Sequence, residues 1–141
     1  MSEKIRDVMT RDPATCRTDD TASDAARAMR DGDFGAVVVV SPESEEVRGI
    51  VTDRDIVVRC VAEGGDTRQA KVGDVCTSNL TTVPADATLQ DAARIMRDQA
   101  LRRLPVVDRG KPVGIVSLGD LAVEADPSSA LGGISAASPN E

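Results

Sequence analysis

The sequence predicts a mixed α/β (α+β) fold: two copies of one βαββα unit, packed with pseudo-twofold symmetry through their sheets. Three observations carry that reading: an internal repeat, valine-rich runs of strand length, and apolar residues at helical spacing between them. Residues 8–31 align with 75–98 at a constant offset of 67, with 12 of the 24 positions identical. Val8-Met9-Thr10 meets Val75-Cys76-Thr77, and Asp24-Ala25-Ala26-Arg27 meets Asp91-Ala92-Ala93-Arg94. Past the valine runs the offset falls to 65, because the first copy has a longer turn (Ser41 to Glu46). Gly49-Ile50-Val51-Thr52 then meets Gly114-Ile115-Val116-Ser117. The resulting boundaries are 1–66 for the first copy, 67–125 for the second, and a flexible tail over 126–141, where Ser, Ala, Gly and Pro leave little to bury.

Each copy opens with a short extended piece, around Thr15–Arg17 or Thr81–Val83, that leads to a threonine cap and a helix. Ala22, Ala25, Ala26 and Met29 recur at i, i+3, i+4 and i+7, as do Leu89, Ala92, Ala93 and Met96, giving one apolar stripe per helix. A strand follows at 36–40 or 103–107, its continuous valines arguing for burial on both faces. After a turn comes a second strand ending Gly-Ile-Val, then a helix beginning at Thr52 or Ser117. The first copy's helix carries Ile56, Val57, Cys60 and Val61 on one face and stops at Glu63-Gly64-Gly65-Asp66. One such unit has too little core to stand alone, so the pair is the module.

Composition narrows the chemistry. A net charge of −7 repels a phosphate backbone, and Phe34 is the one aromatic residue, so nucleic acid is not expected as a partner. No apolar run approaches the roughly 20 residues that span a bilayer, and the charged start Ser2-Glu3-Lys4 is unlike a signal peptide. The expected location is the cytoplasm, with no membrane contact. There is no histidine, hence no imidazole for a triad, for general acid–base work near neutral pH, or for a histidine-containing zinc site. The widely spaced Cys16, Cys60 and Cys76 form no CxxC pair and suit small buried hydrophobes. No catalytic residues and no required cofactor are expected.

Ser/Thr-x-x-Asp occurs four times, at Thr21/Asp24, Thr52/Asp55, Thr88/Asp91 and Ser117/Asp120. Helix capping accounts for the first and third, which precede plain amphipathic helices. The other two follow Gly-Ile-Val at a strand-to-helix corner, where a hydroxyl, backbone amides and the helix dipole converge on an anion site. A carboxylate one turn inward can accept from a ribose diol. The glycines Gly49 and Gly114 allow ligand or backbone to come close.

The strings Gly49-Ile50-Val51-Thr52-Asp53-Arg54-Asp55-Ile56 and Gly114-Ile115-Val116-Ser117-Leu118-Gly119-Asp120-Leu121 resemble the signature of the CBS domain family. Arg102-Arg103-Leu104-Pro105-Val106-Val107-Asp108 and the two openings at Val8 and Val75 match it too, so the likeness runs from Lys4 to about Glu124. It is closest to small stand-alone bacterial CBS pairs. The resemblance implies clefts between paired repeats that bind AMP, ADP, ATP or related adenosyl ligands. It assigns phosphate and ribose to Thr52 with Asp55 and to Ser117 with Asp120. It suggests Cys16 and Arg17 for the adenine in one cleft and Thr82, Val83 and Pro84 in the other. It nominates Arg102 and Arg103 for phosphate. It also implies disc-like homodimers, and the apolar helix stripes exceed what one pair can cover.

The copies differ around the corners. Gly35 and Ala36 stand where the second copy has Arg102 and Arg103, while Arg54 stands opposite Gly119. An arginine–phosphate contact is worth about 1.5–3 kcal/mol, so the Ser117/Asp120 site is expected to be the stronger. The functional expectation is a regulatory nucleotide sensor read by another protein. The alternative is a CBS-fold interaction or structural module that binds no nucleotide.

Overall fold

The computed structural model describes residues 3–77 and 81–125; the tail expected over 126–141 lies outside them. A short helix, α1 (Ile5–Val8), and a two-residue strand, β1 (Thr10–Arg11), open the chain. The first repeat follows as β2 (Thr15–Arg17), α2 (Ala22–Gly32), β3 (Ala36–Val40), β4 (Val47–Thr52) and α3 (Asp53–Ile56). The last of these continues as a π-helix over Val57–Val61. One turn, α4 (Val72–Val75), precedes β5 (Val83–Pro84), α5 (Leu89–Gln99), β6 (Arg103–Asp108), β7 (Lys111–Ser117) and α6 (Leu118–Ala125). The βαββα order holds in both copies. Among the described residues no helix is long and apolar enough to cross a membrane.

Helices α2 and α5 begin where a hydroxyl can hold the first turn. Thr21 Oγ1 accepts from the Asp24 amide at 3.1 Å while Asp24 Oδ2 accepts from the Thr21 amide at 3.0 Å; Thr88 and Asp91 repeat the arrangement. The buried stripe is rotated from the one the spacing suggests. Ala22, Ala25 and Met29 are buried in α2, and Ala92 and Met96 in α5, but Ala26 and Ala93 are exposed. Ala28 and Ile95 pack on the opposite flank instead.

Two sheets form. In the first, β2 lies parallel to β3 and β3 antiparallel to β4. The second has order β1-β7-β6-β5, so its edge strand comes from the chain's opening. Thr10 pairs with Ile115 of β7 at that edge, and the equivalent Thr77 bridges Ile50 of β4 in the first sheet. Each repeat's opening thus joins the other repeat's last strand. The glycines make room for this. A side chain at Gly49 would collide with the Thr77 carbonyl, and one at Gly114 with Met9 and, at 2.9 Å, the Thr10 carbonyl.

The cores follow the same exchange. Val37, Val39, Val51, Ile56 and Cys60 pack with Val72, Val75 and Cys76. Leu104, Val106, Val116 and Leu121 pack with Ile5, which is fully buried. The compact units accordingly cross the repeat boundary, one being Pro13–Thr81 and the other joining Met1–Asp12 to the chain from Thr82 on. The helix face expected to hold Ile56, Val57, Cys60 and Val61 is narrower than the spacing implied: Ile56 and Cys60 are buried, whereas Val57 and Val61 are 57% and 55% exposed. At about 100° per residue the four would span some 140° of the helix, and only one edge of that arc meets the core.

Candidate functional site

Both strand-to-helix corners carry the same locked box. Thr52 Oγ1 accepts from the Asp55 amide at 3.1 Å and Asp55 Oδ2 accepts from the Thr52 amide at 2.9 Å. Ser117 and Asp120 do the same at 3.1 and 2.8 Å. These bonds match those at Thr21 and Thr88, so the box alone does not distinguish a binding corner from a capped helix. It also leaves capacity: the hydroxyl can still donate its proton, and Oδ1 of each carboxylate lies outside the cap.

The surroundings separate the two corners. In the first, each of the three leading amides is taken. Asp53 N–H donates to the Gly35 carbonyl, Arg54 N–H to Asp53 Oδ1 at 2.8 Å, and Asp55 N–H to the threonine. The Asp53 carboxylate also lies against Gly35, where an added Cβ would meet its Oδ2 at 3.2 Å. Asp55 Oδ1 stands 3.9 Å from Arg59 Nε, so a cation already faces it. Arg54 is exposed.

In the second corner Leu118 N–H donates to the Arg102 carbonyl at 2.8 Å, but Leu118 stands where the first copy has Asp53. It offers no side-chain acceptor, and among the described residues nothing else accepts from the Gly119 amide. Arg103 lies directly across the β6–β7 ladder from Ser117, which puts the two Cβ atoms on one face about 5 Å apart. At the matching place in the first sheet Ala36 faces Thr52. Arg102 and Arg103 are both exposed and pair with no carboxylate among the described residues. The first corner therefore has two carboxylates, one of them faced by Arg59, and the second has one carboxylate, two unpaired guanidinium groups and, among the described residues, an amide at Gly119 without an acceptor. The Asp53/Leu118 contrast was missed in the motif reading, although it is visible as an acceptor at the first helical position of one copy only.

The structure gathers Thr52, Arg54 and Asp55 in one place and Ser117, Asp120, Arg102 and Arg103 in another. It sets the adenine candidates apart from the corner in their own sheet. Cys16 pairs with Val39, three residues along β3 from the Ala36–Thr52 pair, about 10 Å at 3.3 Å per residue. Val83, opposite Val106, is offset from Arg103 by the same amount. The Cys16 and Val83 side chains lie in the cores, so what either could offer a ligand is main chain. Burial, then Asp20 and more weakly Cys76 and Asp24, pushes the Cys16 thiol up to about 12, which keeps it protonated. Arg17 is exposed, with its amide held by Asp20 Oδ2 at 2.8 Å. Thr82 is half-buried and Pro84 exposed. Pro84 also lines a cavity of about 410 Å³ at the far end of the β6–β7 hairpin, which neither corner touches.

A sequence model of the CBS domain matches this chain twice, over residues 5–61 and 72–125. The CBS domain-containing protein YhcV of Bacillus subtilis is 40% identical over 119 residues, which is 84% of this chain and 83% of that protein. The crystal structure of Hypoxic Response Protein I, with two coordinated zinc ions, is 32% identical and superposes with a TM-score of 0.77, covering 85% of this chain and 97% of that one. This chain has no histidine, and among its described residues no group of three Cys, Asp or Glu is placed to hold a metal. The CBS domain pair of protein MJ0100, in complex with 5′-methylthioadenosine and S-adenosyl-L-methionine, superposes with a TM-score of 0.79 over 92% of this chain and all of that one. At 22% identity that likeness is one of fold.

Proposed function

The chain belongs to the CBS-domain family, and from that membership we propose that it is a non-catalytic cytoplasmic sensor, binding AMP, ADP, ATP or a related adenosyl compound and relaying the bound state to another protein. The observation that carries the reading is the corner at Ser117. The serine hydroxyl and the Gly119 amide donate to a phosphate, Arg103 with Arg102 supplies the cations, and Asp120 Oδ1 accepts from the ribose. The corner at Thr52 has the same cap but adds the Asp53 carboxylate, and it binds more weakly. That MJ0100, a protein of the same fold, is held with two adenosyl compounds supports this choice of ligand class. A homodimer fits the exposed Val57, Val58 and Val61, which a second copy would cover.

The test is a thermal-shift series with AMP, ADP, ATP and S-adenosylmethionine, since a ligand that prefers the folded state raises Tm. At least one of these compounds raises Tm in a saturable way. The Arg102→Gln/Arg103→Gln variant weakens that ligand tenfold or more by calorimetry, whereas Thr52→Val changes it far less. If none of the four moves Tm at millimolar concentration, the chain is an interaction module of the same fold.

A further inference from the structure

We propose that the cavity at the turn end of the β6–β7 hairpin is a separate small-molecule site, selective for a compact organic anion carrying two or more negative charges. Its position rules out the Ser117 corner. Arg103–Ser117 and Asp108–Lys111 are the first and last pairs of the ladder, so the two places lie about 17 Å apart along the strands. The volume, about 410 Å³, falls within the range of ligand pockets. Met9, Val107 and Val113 are its apolar lining residues, and the exposed Arg6, Arg11 and Arg109 line it as well.

Those cations are placed and uncommitted. Arg6 Nε donates to the Ala85 carbonyl at 3.5 Å and Arg11 Nη2 to the Arg6 carbonyl at 3.0 Å, so each fork is tied to main chain with further N–H groups to spare. Asp86 and Asp108 also line the cavity, yet no ion pair joins them to the arginines among the described residues. The five charged groups sum to +1 on a chain whose net charge is −7.

Arg109 adds an independent reason. The hairpin turns through Arg109 and Gly110, both at positive φ (55° and 80°), as a two-residue loop of this kind demands. Asn-Gly or Asp-Gly suits such a loop, and an arginine at its first position is disfavoured by the backbone. Arg109, held there against local preference, lines a cavity that Arg6 and Arg11 also line, and a ligand accounts for that gathering of cations.

The test titrates the full chain with inorganic pyrophosphate at fixed ionic strength and follows backbone amides by NMR. Saturable shifts centre on Arg109, Gly110 and Asp86. Arg109→Asn, which keeps a residue the turn favours and so melts no lower than the parent, weakens binding tenfold or more, and Arg6→Gln weakens it likewise. Arg102→Gln/Arg103→Gln leaves it unchanged, so the result stands or falls apart from the nucleotide corner. Shifts confined to the Ser117 corner, an Arg109→Asn affinity equal to the parent's, or no saturation by 10 mM would each overturn the proposal.

Discussion

Single residues decide the difference between two corners that share a backbone. Both caps are complete, so under the proposed function recognition would rest on what surrounds them: Asp53 against Leu118, Gly35 against Arg102, and Ala36 against Arg103. The two plain caps make a different prediction. Asp24 and Asp91 are held below their ordinary value of 3.8, chiefly because each accepts from the backbone amide and hydroxyl of its cap threonine. Their folded values lie below the unfolded ones, so the stability they add is complete above the unfolded value and drains away as pH falls through the folded value. Asp24→Asn/Asp91→Asn should therefore flatten the loss of stability below about pH 4, read as the urea midpoint against pH. An unchanged acid slope would show that these carboxylates contribute nothing to the folded state.

At the scale of elements, the order βαββα was legible because its longer elements show a pattern and the repeat supplies the short ones twice. Five valine-rich residues mark β3, and apolar residues recurring at i, i+3, i+4 and i+7 mark each long helix. The exchange of openings was not legible. A two-residue strand such as β1 has no period, and a single bridge at Thr77 leaves no mark in the sequence at all. The glycines were the available clue, read as room for ligand or backbone; the structure fills that room with backbone at Gly49 and with Met9 and backbone at Gly114. Gly49→Ala and Gly114→Ala should each destabilise by about 1–3 kcal/mol, as overpacking does. Gly49→Ala should be the worse of the two, because a carbonyl yields less readily than the flexible Met9 side chain. Chemical denaturation measures both, and a neutral Gly49→Ala would contradict the packing at Thr77. The exposed valines of the π-helix were misplaced for a related reason: periodicity locates an apolar arc but not which edge of it meets the core.

For the whole molecule, the repeat seen in the sequence and the unit seen in the structure are different things. Ile5 is fully buried in the core of the second repeat, and Val72 in that of the first, so neither repeat holds its own core without the other's opening. Two copies of the chain are expected to meet through Val57, Val58 and Val61. Light scattering should give twice 14.8 kDa for the parent and 14.8 kDa for Val57→Glu/Val61→Glu, with the melting transition retained. A parent of 14.8 kDa at micromolar concentration would remove the dimer.

The corner at Ser117 is tested most directly by titrating the isotopically labelled chain with AMP and following the backbone amide of Gly119. This amide should shift saturably, together with those of Asp120 and Arg103, and Asp120→Asn, which preserves the cap, should weaken the response. An amide at Gly119 that stays still while AMP binds elsewhere, or does not bind, would contradict a binding role for this corner.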